Sequence, residues 1–178
     1  MLKAQRRAHF RNKILTDGFG SDLVDSHIRF LMDGANSNAV DLCLINGHEV
    51  VRKFVKAEPS YQREKKRLNQ LRNFAHSPNL IKFDDENRIL VMDYCGIPLD
   101  KYGKKVRDRH IFLKPISEAC YILRNEFGLF HNDLRWKNLT YKNNQIFMVD
   151  FDSVCENFKD ADLDGIYHKM KLGLSFQL

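Results

Sequence analysis

Three polar side chains of this 178-residue chain stand at short intervals, each with apolar neighbours: Asp133, Asn138 and Asp150. The first two belong to the stretch His-Asn-Asp-Leu-Arg-Trp-Lys-Asn-Leu, and the third ends the next apolar run. Between them, Asn143-Asn144 separates two short apolar segments. Asparagine tolerates positive φ, so this pattern predicts a β-hairpin between two polar loops. The alternative is that the three side chains only cap turns.

The same stretch, followed by Met148-Val149-Asp150-Phe151-Asp152, resembles the catalytic loop and the metal-binding motif of the protein-kinase-like superfamily. Phosphoryl transfer needs an acceptor hydroxyl aimed at the γ-phosphate and a cation that neutralises the phosphates. The resemblance therefore implies that Asp133 orients and deprotonates the acceptor, while Asn138 and Asp150 hold Mg²⁺. Amide and carboxylate oxygens suit this hard cation. ATP and Mg²⁺ are the implied cofactors.

A second hairpin is predicted upstream, where Asn46-Gly47 separates Val40–Ile45 from Glu49–Val55. A helix over residues 61–74 follows, because its apolar residues recur at helical spacing. By resemblance, Lys53 contacts the α- and β-phosphates and a glutamate of the helix pairs with it. Glu64 is the first choice for that glutamate and Glu58 is the alternative. Without the resemblance, Lys53 would be a solvated strand lysine and Glu64 an ordinary helix-surface charge.

Two more strands are predicted at Leu80–Phe83 and Ile89–Met92, before Gly96 and Pro98 break the pattern. Apolar periodicity then predicts a helix over about 110–127, and a short helix near 162–172. The segment after the second strand resembles the hinge that joins the two lobes of a kinase. That resemblance implies that adenine binds backbone groups of Asp93 and Cys95 beneath Met92.

The chain departs from the kinase pattern at several positions. The phosphate-covering loop keeps one glycine, Gly34, so backbone amides can approach phosphates less closely there. Asn132 replaces an arginine that often reads phosphorylation, and Asp152 replaces the glycine of the Asp-Phe-Gly motif. Only residues 153–178 follow, which leaves little room for a peptide-binding platform. Asp162 is either an anchor for the catalytic loop or part of an acidic helix start.

The Val-Asp-Phe-Asp ending resembles small atypical kinases, notably the Kdo/WaaP family of lipopolysaccharide core kinases. This resemblance implies a sugar hydroxyl as acceptor. The net charge of +6 and the pI near 9.1 favour acidic partners. One basic run suits an anionic glycolipid or membrane surface, although a solvated loop and helix face is the alternative. The run comprises Lys101, Lys104, Lys105, Arg107 and Arg109.

The four cysteines form no CxxC pair, which is typical of reduced thiols in a cytosolic protein. No window has the apolar length of a membrane-spanning helix. We therefore expect a cytoplasmic protein, with peripheral contact at the inner membrane face as an option. No nucleic-acid partner is expected, because the sequence lacks a platform of alternating aromatic and basic residues.

Together these features predict an α+β chain with a minimal two-lobed protein-kinase-like fold. A small antiparallel β-sheet would form the N-lobe over about residues 1–92. A hinge at 93–98 would lead to a truncated helical C-lobe at 99–178, all within one kinase-like domain. The expected function is transfer of the γ-phosphate of Mg-ATP to a hydroxyl, with a sugar of lipopolysaccharide or a similar glycolipid as leading acceptor. An atypical protein Ser/Thr kinase and a pseudokinase scaffold that acts through a protein partner are the alternatives.

Overall fold

A computed structural model describes residues 21–33, 38–103 and 106–156. The chain divides into two compact units: the residues up to Lys66 with Asn79–Tyr94, and Arg67–Pro78 with the residues from Cys95 onward. The predictions made for Gly34, for Lys104 and Lys105, for the side chain of Arg107, and for Asp162 with its helix lie outside the described residues.

The first unit is built on a five-stranded antiparallel sheet with the strand order β1-β2-β3-β5-β4. A helix, α1, begins three residues after β3. The elements are β1 (Ser26–Asp33), β2 (Asn38–Ile45), β3 (His48–Val55), α1 (Glu58–Gln70), β4 (Leu80–Asp84) and β5 (Ile89–Asp93). The residues of α1 from Arg67 onward belong to the second unit.

The β2–β3 hairpin confirms the prediction made from Asn46-Gly47. Both residues adopt positive φ, 50° and 77°, and Ile45 pairs with His48 across the turn. The strand β1 was not predicted. It is an edge strand in which Ile28 is 44% exposed, so its apolar pattern is weak and its position is set by pairing with β2. The predicted helix over 61–74 begins earlier and ends earlier, at Gln70.

Alternation along β3 sends neighbouring residues to opposite faces of the sheet. Val50, Arg52 and Phe54 face one side, where the core of this unit also contains Cys43, Ile89 and Val91. Lys53 therefore faces the other side. Helix α1 lies on that side, since its Glu64 contacts the Lys53 ammonium. A one-residue shift of the β2–β3 register would exchange these two environments.

The described residues of the second unit form a long helix and a three-stranded sheet with the order β6-β7-β8. The long helix confirms the helix predicted over about 110–127, although the chain before Leu113 forms a 3-10 helix. The unit's elements are β6 (Ile97–Pro98), the 3-10 helix Val106–Phe112, α2 (Leu113–Phe127), β7 (Leu139–Lys142) and β8 (Gln145–Met148), with shorter 3-10 turns at Leu99–Lys101, Trp136–Asn138 and Phe151–Ser153.

Helix α2 and the β7–β8 hairpin supply much of the second unit's core. The helix buries one apolar stripe and ends at Gly128, which adopts φ 64° and donates to the carbonyl of Arg124. The hairpin turns at Asn143-Asn144, with φ 51° and 62°, as predicted. The carbonyl oxygen of His76 accepts a hydrogen bond of 2.7 Å from the Met148 amide at the end of β8. The buried stripe comprises Leu113, Ile116, Ala119, Cys120 and Leu123.

Gly96 lies where two backbone segments of the second unit approach each other closely. It was predicted to break the strand pattern, but the next two residues instead pair with Thr140 and Tyr141. Gly96 has φ 91°, and a Cβ there would collide with the carbonyl oxygen of Tyr141 and lie 2.7 Å from the Cβ of Lys142. A glycine is therefore required for both backbone conformation and space.

We expect Gly96→Ala to lower the free energy of unfolding by about 2–5 kcal/mol, since the backbone strain and the overpacking add. Gly128→Ala is the matched control, because Gly128 also has positive φ but a Cβ there meets nothing within 4 Å. It should lose only about 1–2 kcal/mol. Urea unfolding measures both variants. Equal losses of unfolding free energy in the two variants would show that the Tyr141 carbonyl does not limit the space for a side chain at position 96.

Candidate active site

The loop that carries Asp133 is fixed at both of its ends within the second unit. Before it, the amide and carbonyl of Phe130 exchange hydrogen bonds of 2.9 and 3.0 Å with Cys155. Inside it, Leu134 and Trp136 are buried and act as apolar anchors. The 3-10 turn Trp136–Asn138 then leads into β7. Because Leu134 and Trp136 face inward, the side chains that alternate with them, Asp133 and Arg135, stay partly exposed.

The Asp133 carboxylate is held by two neighbouring side chains. Asn138 Nδ2 donates to Asp133 Oδ2 at 2.9 Å and to the Asp133 carbonyl at 2.8 Å. Arg135 donates from Nε, at 2.5 Å, and from Nη2 to Asp133 Oδ1. Both carboxylate oxygens thus accept charge-assisted or amide hydrogen bonds, which orient the group. The contact with Arg135 was not predicted, because an i, i+2 spacing in an irregular loop does not define side-chain directions.

Asp150 is brought to the same loop by the backbone of its neighbour, Val149. The Val149 amide donates to the Asn138 carbonyl at 2.9 Å, and the Val149 carbonyl lies 3.0 Å from His131 Nε2, which donates to it. The charges of both Asp133 and Asp150 act on the buried His131 ring. The structure therefore places the three sequence-predicted residues, Asp133, Asn138 and Asp150, in one neighbourhood.

Asp150 itself adopts a left-handed backbone conformation, with φ 70° and ψ 61°. This region is unfavourable for residues other than glycine, and a strained non-glycine residue often marks a functional site. Here the strain is maintained by the two hydrogen bonds that hold Val149 and by the buried Phe151 that follows. The backbone geometry thus fixes the direction in which the Asp150 side chain extends from the main chain.

The donor set at this loop fits a hard divalent cation. Because Asn138 Nδ2 donates its hydrogen bonds to Asp133, the side-chain amide oxygen of Asn138 is the atom that can bind a metal. The Asp150 carboxylate adds a charged oxygen. One amide and one carboxylate oxygen match the few protein ligands that Mg²⁺ takes when phosphates complete its shell. The assignment of Asn138 and Asp150 as metal ligands stays a prediction.

His131 is fully enclosed between these groups, and burial lowers its pKa below the ordinary value of about 6.5. A depressed folded-state pKa means that the unfolded chain binds the proton more readily. The stability contributed by neutral His131 is therefore present above pH 6.5 and is lost as the pH falls below it. Between 6.5 and the folded-state pKa, the unfolding free energy should fall by up to about 1.4 kcal/mol per pH unit.

His131→Gln cannot titrate in this range and is the matched variant for that pH dependence. Urea unfolding of both proteins at several pH values gives the difference between their unfolding free energies. We expect the advantage of the wild type to shrink steadily below about pH 6.5. A difference that stays constant with pH would mean that His131 is not buried as a neutral ring.

Lys53 and Glu64 form a buried ion pair in the first unit. Lys53 Nζ donates to both Glu64 oxygens at 2.7 and 2.6 Å, and the side chains are only 8% and 1% exposed. The pairing expected from the sequence is therefore present, and Glu64 rather than Glu58 provides it. Glu58 instead accepts from Gln62 at 2.7 Å. The proposed contact of Lys53 with a nucleotide stays a prediction.

A second buried ion pair, between Asp41 and Arg52, was not predicted from the sequence. Asp41 Oδ2 accepts from Arg52 Nη2 at 2.7 Å and from Cys43 Sγ at 3.3 Å, and lies 2.7 Å from His27 Nδ1. His27, Asp41 and Cys43 could in principle hold a metal, since their ligand atoms lie within 4.8 Å of one another. However, Arg52 already neutralises the carboxylate, and burial raises the pKa of Cys43 to about 12. The group is better described as an ion pair inside the core.

The three residues predicted to contact adenine lie at the end of β5 and just beyond it. Met92 and Cys95 are buried. The Asp93 carboxylate accepts from the Asn79 backbone amide and from Asn79 Nδ2, at 3.2 and 2.8 Å, and the Asp93 amide donates to the Asn79 carbonyl. The Asp93 amide and carboxylate are therefore both engaged by Asn79. Adenine binding at these residues stays a prediction.

Comparison with known proteins addresses the fold. No protein-family model matches the chain, and no curated protein matches its sequence. A similar solved structure is the kinase PK-1 of the Cydia pomonella granulovirus, with a TM-score of 0.58 and 20% sequence identity. The match covers 78% of this chain and 58% of that one, so this chain spans a little over half the length of the viral kinase.

The fold is protein-kinase-like. This confirms the predicted α+β class with a small antiparallel sheet and few helices. The kinase-like fold at this level of identity does not bear on the finer resemblance to the Kdo/WaaP family. Among the residues that the structure describes, none of the helices has the length and apolar character needed to cross a membrane. None of the four cysteines, all of them in the described part of the chain, forms a disulfide; Cys43, Cys95 and Cys120 are buried and Cys155 is partly exposed.

Proposed function

We propose that this chain is a kinase that transfers the γ-phosphate of Mg-ATP to a hydroxyl group. The observation that carries the proposal is the double hydrogen bonding of Val149, which fixes the backbone just before Asp150 to the loop that carries Asp133 and Asn138. The buried ion pair of Lys53 and Glu64 supports it, because it holds a cationic donor in one orientation. The similarity to a viral kinase supports the same reaction class.

In this reaction each residue has a distinct task. Asp133 accepts the proton of the acceptor hydroxyl as the new bond from that oxygen to the γ-phosphorus forms. The bond from the γ-phosphorus to the bridging oxygen breaks, and its electron pair leaves with ADP. Asn138 and Asp150 would hold Mg²⁺, and the cation would neutralise charge on the phosphates. Lys53 donates to the phosphate oxygens, and Glu64 keeps its ammonium in place.

The leading acceptor is a sugar hydroxyl of lipopolysaccharide or a similar glycolipid. Its support is the resemblance of the Val-Asp-Phe-Asp ending to the Kdo/WaaP family and the positive charge of the chain. Cytoplasmic placement with peripheral contact at an anionic membrane follows from this acceptor. An atypical protein Ser/Thr kinase is the enzymatic alternative.

A pseudokinase scaffold is the candidate from another class. The observation that favours it is that both Asp133 oxygens already accept hydrogen bonds, from Arg135 and Asn138. A carboxylate held in this way is not available to a hydroxyl unless one of these contacts is released. A scaffold would show no ADP release with any acceptor. A kinase must release ADP, and must do so faster when an acceptor is supplied.

The acceptor is tested with labelled ATP and the purified protein, offered separately to cell-envelope glycolipid and to a protein extract. We expect label in the glycolipid fraction and ADP release that depends on Mg²⁺. Label found only in protein would replace the sugar acceptor with a protein acceptor. No ADP release with either fraction would favour the scaffold.

A further inference from the structure

Strand β4 lies at one edge of the sheet in the first unit, and no strand in the described part of the chain pairs with its outer side. The strand carries large apolar side chains that remain accessible: Ile81 is 42% exposed and Phe83 is 46% exposed. An open edge presents unpaired backbone donors and acceptors, and an added strand can bind them. The outer side of β4 is therefore a candidate docking surface for another strand.

The other sheet edges among the described residues carry features that hinder such pairing. Strand β1, at the opposite edge of the same sheet, has two register irregularities in its pairing with β2, and bulges of this kind turn an edge away from a partner. In the second unit, β6 has only two residues, one of them Pro98, and the end of β8 is bonded to the His76 carbonyl. In contrast, residues 82–84 of β4 pair with β5 in a regular register.

The charges of β4 complement those of an antiparallel copy of the same strand. Lys82 and Asp84 stand on either side of Phe83. When two copies of β4 pair antiparallel with Phe83 opposite Phe83, each Lys82 lies opposite the Asp84 of the other copy. Opposite charges at directly paired positions stabilise a sheet and like charges destabilise it. A register centred on Lys82 or on Asp84 would instead place two like charges opposite each other.

Contacts within the first unit hold Phe83 and Asp84 in defined positions. The Lys65 ammonium lies 3.6 Å from the centroid of the Phe83 ring, a cation–π contact from helix α1. Asp84 accepts from the Asn87 amide at 3.0 Å and from Asn87 Nδ2 at 2.7 Å. These hydrogen bonds hold the pKa of Asp84 below its ordinary value, so its carboxylate is charged at neutral pH. Each carboxylate oxygen can still accept a second hydrogen bond.

We propose that the chain self-associates through β4, which pairs antiparallel with the β4 of a second copy about a two-fold axis at Phe83. One pair of Phe83 rings and two Lys82–Asp84 pairs form, and both β4 edges are then occupied, so association stops at the dimer. A strand this short buries less than a standard interface, and we expect a weak dimer with a Kd of about 10–500 µM. This interaction goes beyond the proposed kinase function and does not depend on it.

Sedimentation velocity of the wild-type protein from about 5 µM to 1 mM tests the self-association. The average mass should rise from that of the 21.0 kDa monomer towards twice that value. Lys82→Glu should raise the Kd at least about tenfold, because both charge pairs change from attraction to repulsion. Lys114→Glu reverses the same charge on a lysine of α2 whose side chain is 86% exposed, and this control should leave the Kd unchanged. A monomer at every concentration overturns the proposal, and so does equal weakening by the two variants.

The two-fold register also predicts a rescue that is specific to it. Asp84→Lys alone should weaken the dimer, because it places two cations opposite each other. A mixture of Lys82→Glu and Asp84→Lys restores opposite charges at both pairs, so the heterodimer should form with a Kd within about threefold of the wild-type value. Urea unfolding verifies that each variant is folded, since Asp84→Lys loses the contacts with Asn87. Two folded variants that do not associate when mixed would exclude this register.

Amide hydrogen exchange locates the contact in the wild-type protein without any substitution. Exchange at residues 81–84 should slow at least about twofold between 5 µM and 1 mM protein, since about half of the chains or more are then dimeric. Strand β1 is the internal control, because it forms the opposite edge of the same sheet, and its exchange should not change. Protection gained at β1 instead of β4, or at neither strand while the average mass doubles, would show that the copies associate elsewhere.

Discussion

Replacing Asp133 with asparagine is expected to lower phosphotransfer by a factor of about 10²–10⁴ while the protein remains folded. A positioned general base contributes rate enhancement of this order. Asparagine has the same shape and can still accept from Arg135, but it cannot take up the acceptor proton. The affinity for Mg-ATP should therefore change little, and the loss should appear in kcat.

The measurement is ADP release or label transfer at saturating ATP, together with urea unfolding to verify the fold. Glu126→Gln is the control, because it makes the same change from carboxylate to amide at an exposed position of helix α2. It should behave as the wild type does. If Asp133→Asn retained more than a tenth of the wild-type rate, Asp133 would not be the base.

The ion pair of Lys53 and Glu64 is expected to affect both stability and catalysis. Removing one partner leaves a buried charge without its counterion, which destabilises proteins by about 3–5 kcal/mol. Lys53→Met and Glu64→Leu should each show a loss of this size in urea unfolding. The double variant removes both charges and should recover most of the stability. It should still lack ATP turnover, because no ammonium remains to bind the phosphates.

Arg52→Met is a close control for the role of Lys53. Arg52 is the neighbouring residue of β3, faces the opposite side of the sheet and belongs to the other buried ion pair. Its loss should destabilise the protein by a similar amount, about 3–5 kcal/mol, yet leave the Mg-ATP affinity of the folded protein unchanged. Equal loss of nucleotide binding in Arg52→Met and Lys53→Met would show that both act only through stability.

The sequence predicted the elements that are specified by residues close together in the chain, such as tight turns and a regular apolar period. The two hairpins follow from Asn46-Gly47 and Asn143-Asn144, because positive φ at adjacent residues is a property of the residues themselves. Helix α2 follows from its apolar period, and Gly128 ends it. Strand β1 was missed because an exposed edge strand is defined mainly by its partner, β2. The boundaries of α1 shifted because a polar helix of this kind has weak apolar periodicity.

The chemistry that we propose for the candidate site was predicted from the sequence, since the kinase-like motif specifies which residue types stand at which intervals. The partners of those residues were not visible. The choice of Glu64 over Glu58, the ion pair of Asp41 with Arg52 and the contact of Arg135 with Asp133 all depend on where side chains meet in space.

The sequence by itself thus determined the reaction class that we propose and the residues expected to carry it, because spacing within one segment preserves local geometry. Only the tertiary structure decided how those residues are held. The Val149 amide and carbonyl bond to two separate points of the loop that carries Asp133, and Lys53 contacts a glutamate from a different element. Such contacts arise from chain folding over long sequence separations, where packing and electrostatics select one partner among several that the sequence allows.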